Sequence, residues 1–78
     1  MTLQEWLSSH KLDHKRYEII GSAKVRGSWI VIQRSKPPEK MHYCVQYAGS
    51  GHYFSTMEEL NQYTQKRWNK NFSDDKIS

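Results

Sequence analysis

The side chains able to do chemistry in this chain are few. They are His10 and His14, the set His42, Cys44 and His52, the acid pairs Glu58-Glu59 and Asp74-Asp75, and a run of cations from Lys24 to Lys40. His10 and His14 have the i, i+4 spacing that lets two imidazoles reach one metal from a continuous helix, but the helical pattern ends near His10 and no third ligand follows. His42 and Cys44 share a strand face with His52 nearby in sequence, an incomplete His-Cys-His set where structural zinc takes four close ligands with paired spacing. Cys44 as a nucleophile needs a neighbouring base to lower its thiol pKa, and none is readable. Helix capping accounts for Glu58-Glu59 and a solvated tail for Asp74-Asp75. No catalytic residue, metal or cofactor is therefore expected, and the chain is not expected to be an enzyme.

The cations form a different pattern. From Lys24 to Lys40 there are five, Lys24, Arg26, Arg34, Lys36 and Lys40, against Glu39 alone, a balance of five minus one that equals the +4 of the whole chain. Interleaved with Ser22, Ser28, Trp29, Gln33 and Ser35, they suit a surface whose cations hold phosphates while Trp29 stacks or inserts. The same charges are equally what keeps exposed hairpins soluble and unpaired.

The elements that must position these groups follow from periodicity. Thr2 with Glu5 forms a capping box, and Leu3, Trp6, Leu7 and His10 share a helical face, which predicts a short helix over residues 3–10. Tyr17-Glu18-Ile19-Ile20 has strand composition and resumes through Ala23 to Val25, with Gly21 marking a bulge. Arg26-Gly27-Ser28 is a tight connection to Trp29-Ile30-Val31-Ile32-Gln33-Arg34, the strongest β run and the expected central strand. Ser35 to Lys40 contains two prolines and reads as a hairpin loop. A third strand over residues 41–48 alternates Met41, Tyr43, Val45 and Tyr47 on its buried face, until Gly49-Ser50-Gly51 breaks the pattern. Ser55 with Glu58, or Thr56 with Glu59, then caps a helix that buries Met57, Leu60, Thr64 and Trp68 with Tyr63 beside them.

The expected fold is α+β, a three-stranded antiparallel β-meander with a short N-terminal and a longer C-terminal helix packed on one face, in α-β-β-β-α order. Residues 1–70 form one domain and 71–78 a polar tail. The opposite sheet face then stays open, carrying Trp29, Val31, Gln33, His42, Cys44 and Gln46, unless Trp29 is covered by a loop or the first helix.

Composition bounds the function. Seventy-eight residues make one small domain with little room for a deep cavity, so shallow surface recognition is expected. Ten aromatic residues argue against disorder, and a pI near 9.3 favours acidic partners. A single cysteine forbids an intrachain disulfide, and no signal peptide or long apolar run is readable, so a cytoplasmic protein without a membrane partner is expected.

Gly27-Ser28-Trp29, two strands, and then Tyr53-Phe54-Ser55-Thr56-Met57-Glu58-Glu59 opening a helix resembles the layout of three-stranded-sheet DNA readers, namely plant AP2 domains and the arm-binding domains of phage-type integrases. The likeness spans residues 24–68 and is one of layout, not a family assignment. It implies a sheet that enters the major groove. The leading expectation is a small non-enzymatic DNA- or RNA-binding domain that uses its basic hairpins and open sheet face, through Lys24, Arg26, Trp29, Arg34, Lys36 and Lys40. The alternative is a small phage- or mobile-element-type inhibitor or adaptor that binds a host protein through its Trp, Tyr and Arg side chains. A dimer through the sheet edge is compatible with either.

Overall fold

The computed structural model describes residues 2–10 and 12–73. In chain order the elements are α1 (Leu3–Ser9), β1 (Tyr17–Val25), β2 (Ser28–Ser35), β3 (Tyr43–Tyr47), β4 (Ser50–Phe54) and α2 (Met57–Trp68). The strands form one antiparallel sheet in the order β1-β2-β3-β4. The class is α+β, as expected, but the meander has four strands, not three. The additional strand is Ser50–Phe54, which the glycines had disguised as a break. Ala48 and Gly49 both take positive φ, 50° and 82°, so they form a two-residue turn that returns the chain as a hairpin.

The other boundaries follow local chemistry closely. Thr2 caps α1 in a complete capping box, its hydroxyl accepting from the Glu5 amide while Glu5 accepts from the Thr2 amide. Thr56 caps α2 by accepting from the Glu59 amide, and Asn69 ends the helix in the left-handed conformation. The pairing of β1 with β2 shifts register between Ile19 and Gly21. That bulge leaves Ile19 opposite Gln33 on one face while Ile20 packs into the core on the other. Met41 lies outside β3 and is exposed.

The main core lies between α2 and one sheet face: Ile30, Ile32, Tyr43, Val45 and Leu60, flanked by Met57, Tyr63 and Trp68. The helical stripe is as the spacing predicts, with Leu60 and Thr64 fully buried. After α2 the chain turns back over β1. The Asn61 side chain donates to the Phe72 carbonyl and accepts from its amide, both at 2.8 Å, and Phe72 packs against the core. The folded unit thus extends past residue 70 to include Phe72, because an apolar ring within a polar segment still gains by burial. Residues 74–78, the remainder of the expected tail, lie outside the described residues.

The two helices do not share a face. Trp6 of α1 is 3% exposed yet stands outside the α2-side core. Its indole stacks on His10 at 3.9 Å between centroids, and His10 borders a cleft with Gln33, Cys44 and Gln46. Cross-strand pairing puts Gln33, Cys44 and Tyr53 in one row, opposite in facing to Ile32, Val45 and His52. The expected open face is therefore largely covered: Val31, Gln33 and Cys44 are buried and Trp29, His42 and Gln46 half-buried. The reason is compositional, since β2 is apolar on both faces and each face needs a cover.

Candidate functional site

The six residues expected to bind a partner do not form one patch. Lys24 and Trp29 face each other across the β1–β2 ladder, and Arg26 occupies the turn beyond them. Arg26 and Gly27 have φ of 51° and 81°, a two-residue turn whose first position favours Asn, Asp or Gly. Arginine in that backbone is unusual, and it aims a cation outward at the hairpin tip. Lys36 and Lys40 lie at the other end of β2, roughly 25 Å away for eight strand residues.

Arg34 is withdrawn from the surface. Its guanidinium pairs with Glu18 directly across the strands, and its side chain is 13% exposed. The sequence places Arg34 in a charge run, but the ladder register puts a carboxylate opposite it. Lys36 donates through Nζ to the His14 carbonyl at 2.7 Å. Among the described residues Lys24, Arg26 and Lys40 make no ion pair. The nearby carboxylates are engaged elsewhere: Glu39 with Arg16, Asp13 with the amides of Lys15 and Arg16, and Glu5 in its capping box. The Thr2 hydrogen bonds hold the Glu5 carboxyl below its usual range, with a smaller contribution from the field of Lys24.

The β2–β3 loop is anchored rather than loose. Ser35 donates its hydroxyl to the Lys40 carbonyl and accepts from the His42 amide. The His42 Nδ1 donates to the Lys40 carbonyl at 2.7 Å, which leaves Nε2 to accept from the Tyr17 hydroxyl at 2.6 Å. Burial pushes the Tyr17 phenol up.

The histidine and cysteine sets come apart. α1 ends at Ser9, so His10 and His14 do not share a helical face. His42 and Cys44 face the α1 side, whereas His52 pairs with Val45 and turns to the α2 side, its ring 5.0 Å from that of Tyr63. No group of three potential metal ligands occurs among the described residues. Glu58 and Glu59 occupy the first turn of α2, and Asp74-Asp75 lie outside the described residues. Burial pushes the Cys44 thiol up, only partly offset by hydrogen bonds from Gln46 and Tyr53, the opposite of what a nucleophile requires.

Two features were not foreseen. The Arg67 guanidinium lies over three rings, Tyr47, Tyr63 and Trp68, at 5.8, 5.8 and 5.2 Å from their centroids. The place of Arg67 in the last turn of α2 is one the helix dipole favours, but the facing Tyr47 is brought by the sheet, which no spacing within the helix reports. The other is the cleft beside Gln33, about 300 Å3 in volume, in a domain expected to have only shallow surfaces. Among the described residues no helix is long and apolar enough to cross a membrane. Comparison with protein-family models, with curated proteins and with solved structures gives no match for this chain.

Proposed function

We propose that the protein is a non-enzymatic nucleic-acid-binding domain whose contact centre is the tip of the β1–β2 hairpin. The observation that carries this reading is Arg26 at the left-handed position of the turn, flanked by the Lys24–Trp29 cross-strand pair. A long cationic side chain held in a backbone that favours Asn or Gly costs stability, and such costs concentrate where they serve binding. Lys24 and Arg26 supply phosphate contacts, the half-buried Trp29 supplies an aromatic edge beside them, and Lys36 and Lys40 add phosphate contacts at the far end of the ribbon. Glu18 excludes Arg34 from that role.

The test is titration of single-stranded and duplex oligonucleotides at two or more salt concentrations. Four phosphate contacts give a slope of log K on log salt of about −3 to −4. Absence of binding at low salt sinks the proposal.

One observation favours a second reading, that of a small inhibitor or adaptor that docks on a protein. Arg67 among Tyr47, Tyr63 and Trp68 concentrates the residue types that dominate protein interfaces. Under that reading Arg67→Ala abolishes binding while Lys24→Ala with Arg26→Ala leaves it intact, and salt has little effect.

A further inference from the structure

The cleft on the α1 side of the sheet has the construction of a ligand site. At its base Gln33 is 2% exposed. Its amide nitrogen is the one buried side-chain nitrogen or oxygen among the described residues without a hydrogen-bond partner. Folded proteins seldom keep a buried donor unpaired, since it has given up water and received nothing in return.

The surroundings restrict what could pair with it. Tyr17, Tyr53 and His10 bring aromatic rings to the cleft and Leu12 an apolar side chain. His10 places Nδ1 2.9 Å from the Trp6 carbonyl, so in the neutral ring Nδ1 donates there and Nε2 remains an acceptor. Asp13 also lines the cleft, held by the Lys15 and Arg16 amides on Oδ1. No lysine or arginine is among the described lining residues, and the Cys44 thiol is kept neutral by burial. Among the described lining residues a phosphate or carboxylate finds no cation to neutralise it and meets the Asp13 charge instead.

The volume, about 300 Å3, is at the lower end of small-molecule sites, which span roughly 300–1,000 Å3, and accommodates one ring system. Gln46, which lines the cleft, donates its amide to the Cys44 sulfur at 3.1 Å, and a Cβ at the facing Gly51 would stand 3.1 Å from that amide nitrogen and press it to shift by a few tenths of an ångström.

We infer that this cleft binds one uncharged planar nitrogen heterocycle of nucleobase size, whose ring-nitrogen or carbonyl acceptor draws the buried Gln33 amide towards the cleft to donate from Nε2. Adenine, cytosine and guanine carry such acceptors beside exocyclic amino donors, and uracil beside a ring N–H, which His10 Nε2 and Asp13 accept. Tyr17, Tyr53 and His10 supply the aromatic contact by which splayed bases are held. The ring comes either as a free nucleoside or as an unstacked base of a single strand. The strand-borne source rests on the nucleic-acid reading above; the free source does not.

The experiment is a ¹H–¹⁵N NMR titration of the full chain with adenosine, cytidine, guanosine and uridine, and with short single-stranded oligonucleotides, following the Gln33 side-chain amide. Gln33→Met removes the donor at nearly constant volume. Tyr53→Ala changes a residue 62% exposed, so its fold should persist if the buried substitution proves disruptive. At least one nucleoside or oligonucleotide should shift the Gln33 amide saturably, with affinity about tenfold weaker in each variant.

No shift with any nucleoside or strand overturns the inference, as does affinity unchanged in both variants. Salt-dependent strand binding that is lost in Lys24→Ala/Arg26→Ala but unchanged in Gln33→Met and Tyr53→Ala overturns the cleft and leaves the hairpin reading standing. Nucleoside binding without strand binding at low salt supports the cleft and removes the nucleic-acid reading.

Discussion

Phe72 lies so close to Gly21 that a Cβ built on the glycine would stand 3.3 Å from the ring's Cδ1. The contact closes the sheet over β1, the strand that α2 leaves uncovered, and it uses the β-bulge at Ile19–Gly21 to admit the ring. Gly21→Ala should overpack this site and destabilise the fold by about 1 kcal/mol. In a Phe72→Ala background the same change should cost almost nothing. A double-mutant cycle by chemical denaturation measures the coupling, and additive effects would show that the contact contributes no stability.

Arg26 allows stability and the proposed nucleic-acid binding to be tested separately. Arg26→Asn puts a residue suited to the left-handed turn at φ 51° and should stabilise the protein by about 0.5–1 kcal/mol. Under the proposed nucleic-acid reading it should also remove one phosphate contact and make the salt dependence of oligonucleotide binding shallower by about 0.9. Thermal denaturation and salt-dependent titration on one variant check both expectations.

Thr64 is fully buried and donates its hydroxyl to the Lys70 carbonyl at 2.8 Å. Thr64→Val keeps the shape and removes the donor, leaving that carbonyl short of a partner, and should cost about 1–2 kcal/mol. The loss should appear first in the segment after α2. Hydrogen exchange at the Phe72 amide should accelerate more in this variant than exchange in β2.

Cys44 should be inert in the native state. Its thiol is 1% exposed, and burial raises its pKa above the ordinary value of 9.0. The folded protein thus holds the proton more tightly than the unfolded chain does. The stability this provides is fully present below about pH 9 and declines as pH rises towards the raised folded value. Alkylation at pH 8 should require unfolding, and Cys44→Ala should lose less stability than wild type between pH 8 and 10.

Capping and periodicity made both helices legible, because Thr2, Thr56 and the Leu60–Thr64 stripe act within a few residues of themselves. The β1 bulge and the Arg26-Gly27 turn were legible for the same reason. β4 was not: Ala48 lacks the usual chemistry of its turn position, and Ser50-Gly51-His52 gains its strand state from pairing with β3, which no local propensity reports.

The candidate surfaces divide along the same line. The sequence by itself determined the residue types, the excess of cations between Lys24 and Lys40, and the two-sided apolar character of β2. Only tertiary structure decided their use. Strand register set Glu18 against Arg34 and turned His52 away from Cys44, because one residue of register selects the face on which a side chain emerges. The placement of α1 opposite α2 then enclosed Gln33 without pairing it, an outcome of packing between segments more than twenty residues apart that no spacing along the chain encodes.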